Sequence, residues 1–180
     1  MKSKNAGYTL IELIIVISLF VIILLGGTTL FVQNLRTGGF TEMDLKLNSS
    51  LRSVLDEMER KIRFGKVSMV DASDREQCLL AGSTGLIGSS VTTEDLNGLS
   101  SVYSLVDAKV SSVSSQTNEQ IFLNSTDVSI NSLSIRWFCQ SAISDKIILE
   151  ITASTVPLGS GVTISKSVTR EVVLLNSAIN

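Results

Sequence analysis

Histidine is absent from the chain, and proline occurs once in 180 residues. Without histidine the commonest general base and metal ligand near neutral pH is missing. No Gly-x-Ser-x-Gly element, phosphate loop or Cys-x-x-Cys pair occurs either. The chain is therefore read as a non-enzyme with no cofactor. Aromatic residues are scarce at 5% and the net charge is only −2, so no basic field is present to recruit nucleic acid as a bulk partner. The two cysteines, Cys78 and Cys139, lie too far apart to read as a metal motif. The absence that says most is of charge: none falls between Glu12 and Arg36.

That uncharged stretch is about 23 residues, and a bilayer-spanning helix needs roughly 20. It opens Leu13-Ile14-Ile15-Val16-Ile17 and stays apolar through Leu25. Glu12 is the exception, a carboxylate one turn inside the apolar run. An ionisable group in a membrane segment costs roughly 2.5–3.5 kcal/mol on insertion scales and is read as functional by default. Solvation at headgroup level is the plainer reading. On position alone the two stand level.

Gly7, then Tyr8-Thr9-Leu10-Ile11-Glu12-Leu13, then an unbroken apolar helix, resembles the N-terminus of type IV pilins and type II secretion pseudopilins. The likeness is close over the first 30 or so residues and looser beyond. It implies cleavage by a prepilin peptidase between Gly7 and Tyr8, leaving Tyr8 as a usually N-methylated terminus. Tyr8 stands where most of that family has Phe. The resemblance also gives Glu12 an assembly role, beside the N-terminal amine of a neighbouring subunit. Two opposite charges buried together in an apolar bundle are far less costly than either alone.

Residues 1–7 are then a leader, kept out of fold reasoning. Lys2 and Lys4 hold that end in the cytoplasm by the positive-inside rule, with the rest of the chain across the membrane. The expected location is the bacterial cytoplasmic membrane, with the head outside the cytoplasm, and afterwards an extracytoplasmic filament. Gly26-Gly27 reads either as a weak point of the helix or as close packing through small residues, with signal-peptidase cleavage there as a third option. Gly38-Gly39 marks a second weak spot. The expected domains are the leader 1–7, a transmembrane and assembly helix 8–35, an amphipathic helix 36–65 and a β-rich head 66–180.

Within the amphipathic part, over about 40–64, Leu47, Leu51, Val54, Leu55, Met58 and Ile62 fall at helical spacing. Asp56–Arg60, Glu57–Lys61 and Glu59–Arg63 are i,i+4 pairs with the acid first. Gly65 reads as the left-handed residue that stops the helix. Beyond it the pattern predicts strands at 67–70, 77–80, 102–110, 120–123, 132–140, 146–153 and 162–175, with a loop at 81–90. Leu133, Ile135, Trp137 and Cys139 share one face, as do Ile147, Leu149 and Ile151, and Val162, Ile164, Val168, Val172 and Leu174. A one-sided apolar sheet needs a cover, which the helix stripe supplies. The fold class is α+β, and the resemblance implies the pilin fold: a long N-terminal helix on an antiparallel sheet.

Cys78 and Cys139 are left between a disulfide, which would close a loop of about 60 residues and add ~4 kcal/mol, and two buried thiols. Asp71, Asp74 and Glu76 form an acidic turn, read as solvated, with calcium as the alternative. The resulting expectation is a structural subunit, a minor pilin or a pseudopilin of J or W type. Its partners would be other such subunits, prepilin peptidase, an inner-membrane assembly platform and, before assembly, lipid. The rivals are a subunit of a DNA-uptake pseudopilus and an unprocessed single-pass protein that binds a ligand through its head.

Overall fold

Helix α1 (Leu10–Phe64) runs without a break for 55 residues. The computed structural model describes residues 9–141, 143–156 and 163–176, apart from the Arg36 side chain. The chain divides into two units, Met1–Glu42 and Met43–Asn180. In the first, the described residues form only the leading part of α1. Both glycine pairs, 26–27 and 38–39, lie inside continuous helix with open space around them, so neither interrupts it. A helix in which every N–H finds its own i−4 carbonyl tolerates glycine where no water competes for those bonds.

The second unit holds the rest of α1 and the head. Its elements are β1 (Lys66–Val70), α2 (Arg75–Ala81), a 3-10 turn (Gly82–Thr84), β2 (Leu86–Gly88), β3 (Ser90–Glu94), β4 (Ser100–Val106), β5 (Lys109–Ser114), β6 (Gln120–Phe122), β7 (Val128–Phe138), β8 (Lys146–Thr155) and β9 (Ser165–Val173). They build two antiparallel sheets, one ordered β1-β3-β4-β5-β6 and the other β2-β7-β8-β9. This is the long helix on antiparallel sheet that the resemblance implies. The six-residue stripe of α1 is buried throughout, none of its members more than 1% exposed, and shares one core with both sheets.

Strand β7 shows how the sequence builds that core. Val128 and Ile130 are buried at even positions, then Leu133, Ile135 and Trp137 at odd ones. A strand alternates faces every residue, so such a change of phase needs one extra residue. The pairing with β8 slips between Ile130 and Ser132, and Asn131 is that residue. Ile147, Leu149 and Ile151 of β8 are fully buried, as are Val172 and Leu174 at the end of β9. Val162 lies outside the described residues.

Several expectations are corrected. Residues 77–80 are helix, because Asp74 and Gln77 make a reciprocal capping box: the Gln77 N–H donates to Asp74 Oδ1 at 3.0 Å and the Asp74 N–H to Gln77 Oε1 at 3.3 Å. The stretch 102–110 is two strands, reversed at Asp107-Ala108, both with positive φ. The loop expected at 81–90 contains β2, paired to β7 through Leu86 and Trp137. Gly65 is not left-handed. It is glycine because a Cβ there would sit 2.5 Å from the Lys61 carbonyl oxygen and 2.8 Å from that of Glu94.

Of the expected helix pairs, Glu59–Arg63 forms at 2.6 Å. Arg60 instead takes Glu57, one turn back, at 2.6 Å. Asp56 and Glu59 both reach across to Arg170 of β9. Lys166, on the same strand, donates to Asn48 Oδ1 at 2.6 Å. Tertiary partners thus draw off acids that local spacing assigns to the helix surface.

Candidate functional site

The site that the sequence singles out is the start of α1. Gly7 and Tyr8 lie outside the described residues. Glu12 sits in the first turn, with an exposed side chain, and is the only acid there. A carboxylate at that end faces the positive pole of the helix dipole, which stabilises it. From Leu13 to Leu35 the side chains are exposed and mostly apolar, so this stretch buries nothing within the chain. The helix is long and apolar enough to cross a membrane.

Its three hydroxyls are made cheap to hold in lipid. The Ser18 hydroxyl donates to the Ile14 carbonyl at 2.9 Å, Thr28 to Leu24 at 2.9 Å and Thr29 to Gly26 at 2.8 Å. A hydroxyl that bonds back to its own helix leaves no donor unsatisfied in hydrocarbon. Glu12 has no such escape as an acceptor-only group. It is the one ionisable side chain between Leu10 and Leu35.

Comparison with known proteins bears on the start of the chain. The model of the prokaryotic N-terminal methylation motif matches residues 2–28. The chain carries the type IV pilin signature. That signature marks pilin-like proteins that prepilin peptidase processes, and it fits an apolar helix that anchors a pilin in a membrane and associates with other pilin subunits. The match ends inside α1 and does not reach the head. No curated protein and no solved structure matches the chain.

The head holds two features that matter for its integrity. Cys78 of α2 and Cys139, just past β7, are joined in a disulfide with their Cα atoms 5.6 Å apart. One turn before Cys78, the Arg75 guanidinium grips Asp145 with Nε 2.8 Å from Oδ2 and Nη2 3.1 Å from Oδ1. The Asp145 side chain is wholly buried. Together these fasten α2 to the connection between β7 and β8. Sequence reasoning missed the ion pair, since the partners stand 70 residues apart and Asp145 lies in an unpatterned polar gap.

The acidic turn is accounted for by hydrogen bonds. Asp71 Oδ1 accepts the backbone N–H groups of Ser89 at 3.0 Å and Ser90 at 2.8 Å, with both hydroxyls near. Burial pushes the Asp71 carboxyl up, but those donors outweigh it and hold the group below its ordinary range. Asp74 caps α2, and Glu76 lies in that helix's first turn. Among the described residues no three acids, cysteines or histidines come together to hold a metal ion. The surface groove between the end of α1 and the β3–β4 turn is lined by Arg60, Lys61, Phe64, Glu94, Asp95 and Leu96. It mixes both signs of charge, which gives a polyanion no continuous positive track.

Proposed function

We propose that the chain is a structural filament subunit, a minor pilin or pseudopilin, and not an enzyme. It is inserted in the inner membrane with its head outside the cytoplasm, cleaved between Gly7 and Tyr8, methylated at Tyr8, and packed laterally through α1 into a type IV pilus or type II secretion filament. The assembly platform and its cytoplasmic ATPase provide the energy. A disulfide in the head suits an oxidising compartment beyond that membrane, which supports this orientation. The helix-to-strand passage at Gly65 has the texture of the J-type and W-type minor members, which is the basis for placing it among the minor subunits.

The observation that carries the reading is Glu12, the one carboxylate beside the apolar run of α1, whose Ser18 and Thr28 hydroxyls bond back to the helix. A protein that needs only an anchor gains from it no more than the helix-dipole term. A subunit that must bury its neighbour's Tyr8 amine needs it. The mixed-charge groove gives the DNA-uptake rival no support. The experiment compares Glu12→Ala and Glu12→Gln for protein in the membrane and protein in sheared filaments. Both variants reach wild-type membrane levels. Both are excluded from filaments, because an amine left buried without its partner costs roughly 3–5 kcal/mol. Filaments with normal amounts of either variant would show that the pairing is not what Glu12 is for.

A further inference from the structure

Helix α2 is seven residues long, too short to persist by its own backbone bonds. Two ties fasten it to the β7–β8 connection, and both leave from one side of the helix. Arg75 and Cys78 are three residues apart and so share a helical face. The Arg75 guanidinium closes as a fork on the Asp145 carboxylate, a geometry that fixes direction as well as distance. Asp145 is a firm anchor: its side chain is wholly buried, and its backbone carbonyl accepts the Leu174 N–H at 2.9 Å. Arg75 Nη2 also lies 3.5 Å from the carbonyl oxygen of Gln140, the residue next to Cys139. One guanidinium thus touches both ends of the connection, beside the cysteine at its start and beside β8 at its end.

We infer that Arg75 is a positioning residue for the Cys78–Cys139 disulfide: it docks α2 so that the two thiols meet before the bond forms. This role belongs to the head alone and does not depend on the chain entering a filament. Bond formation needs an oxidant, which is taken as a small-molecule disulfide. The thiolate of one cysteine attacks it, and one small thiol leaves with the proton that the cysteine gave up. The second cysteine's thiolate then attacks the mixed disulfide, the Cys78–Cys139 bond forms, and the second small thiol leaves with the second proton. The two electrons taken from the cysteines reduce the small disulfide. The equilibrium of this exchange scales with the fraction of reduced chains in which α2 is docked. With both thiols reduced, the Arg75–Asp145 pair still joins the same two segments, so it raises that fraction. By linkage, the disulfide strengthens the pair by the same factor.

The test equilibrates full-length protein in detergent with reduced and oxidised glutathione, from both the reduced and the oxidised side. Rapid alkylation then fixes the thiols, and the bridged fraction is read by intact mass. Arg75→Ala lowers the equilibrium constant at least about twofold, the lower end of couplings between groups in one network. Asp145→Asn, which keeps the shape and loses the charge, lowers it too. Arg170→Ala breaks the tie of β9 to Glu59 of α1 and leaves α2 untouched, so its constant stays at the wild-type value. A wild-type constant in Arg75→Ala overturns the inference. A fall in Arg170→Ala as large as that in Arg75→Ala also overturns it, since lost general stability would then be the cause. So does a wild-type constant in Asp145→Asn beside a low one in Arg75→Ala, because Arg75 would not be acting through its grip on Asp145.

Discussion

Cutting the head away from α1 tests the packing argument most severely. A fragment 43–180 begins where the second unit begins, and a fragment 66–180 lacks α1 altogether. The shorter one loses Leu47, Leu51, Val54, Leu55, Met58 and Ile62, all fully buried. Burying each such side chain is worth about 1.5–3 kcal/mol, so the stripe contributes roughly 9–18 kcal/mol, with the extended-chain reference placing the true value toward the lower end. A whole domain is stable by only about 5–15 kcal/mol. Even the low figure is comparable to that margin, before counting the ties of Arg170 to Glu59 and of Lys166 to Asn48. The fragment 43–180 is therefore expected to give a dispersed amide spectrum and one cooperative urea transition. The fragment 66–180 is expected to be poorly soluble and unfolded. A soluble, well-dispersed 66–180 would refute the reasoning, because some other element would have to cover Val172, Leu174 and Ile151.

The disulfide closes a loop between positions 61 residues apart, so Cys78→Ala with Cys139→Ala should lower the stability of the head by about 4 kcal/mol, read as a fall in the urea midpoint against the oxidised wild type. Arg75→Ala removes the guanidinium that grips the buried Asp145 carboxylate and should lower the urea midpoint, by less than the roughly 3–5 kcal/mol of a fully buried pair because Arg75 is partly exposed, while the double change Arg75→Ala with Asp145→Asn should recover part of that loss in the same assay. The Asp71 pKa is lowered in the folded head, so the stability it contributes is present above the unfolded carboxyl value near 4 and is lost as pH falls through the folded value. Urea midpoints of wild type and Asp71→Asn should accordingly converge on acidification and separate as pH rises toward neutrality.

Periodicity made the main body of this fold legible. The α1 stripe and the inward faces of β7 and β8 repeat at 3.6 and 2 residues, and each is buried as its pattern predicts. Punctuation was less legible. Asp107-Ala108 reverses the chain without the glycine that usually marks so tight a turn, because β4 and β5 pair well enough to hold Ala108 at positive φ. The Asp74–Gln77 box was visible as a spacing, but Cys78-Leu79-Leu80 looked like a short strand and masked it. The phase change at Asn131 hides in a run that alternates cleanly on either side. Of the functional site, Glu12 was legible because it is a charge beside an apolar run, and the resemblance, not its position, separated an assembly role from solvation at headgroup level.

The mature N-terminus is the most direct test of the account. Protein recovered from the cell envelope is to be identified by intact mass and by its first peptide in a mass spectrometer. The account predicts a chain that begins at Tyr8 with a methylated amine and retains Glu12 and the whole apolar run. Retention of Met1–Gly7, or a chain that begins beyond Gly26-Gly27, would contradict it.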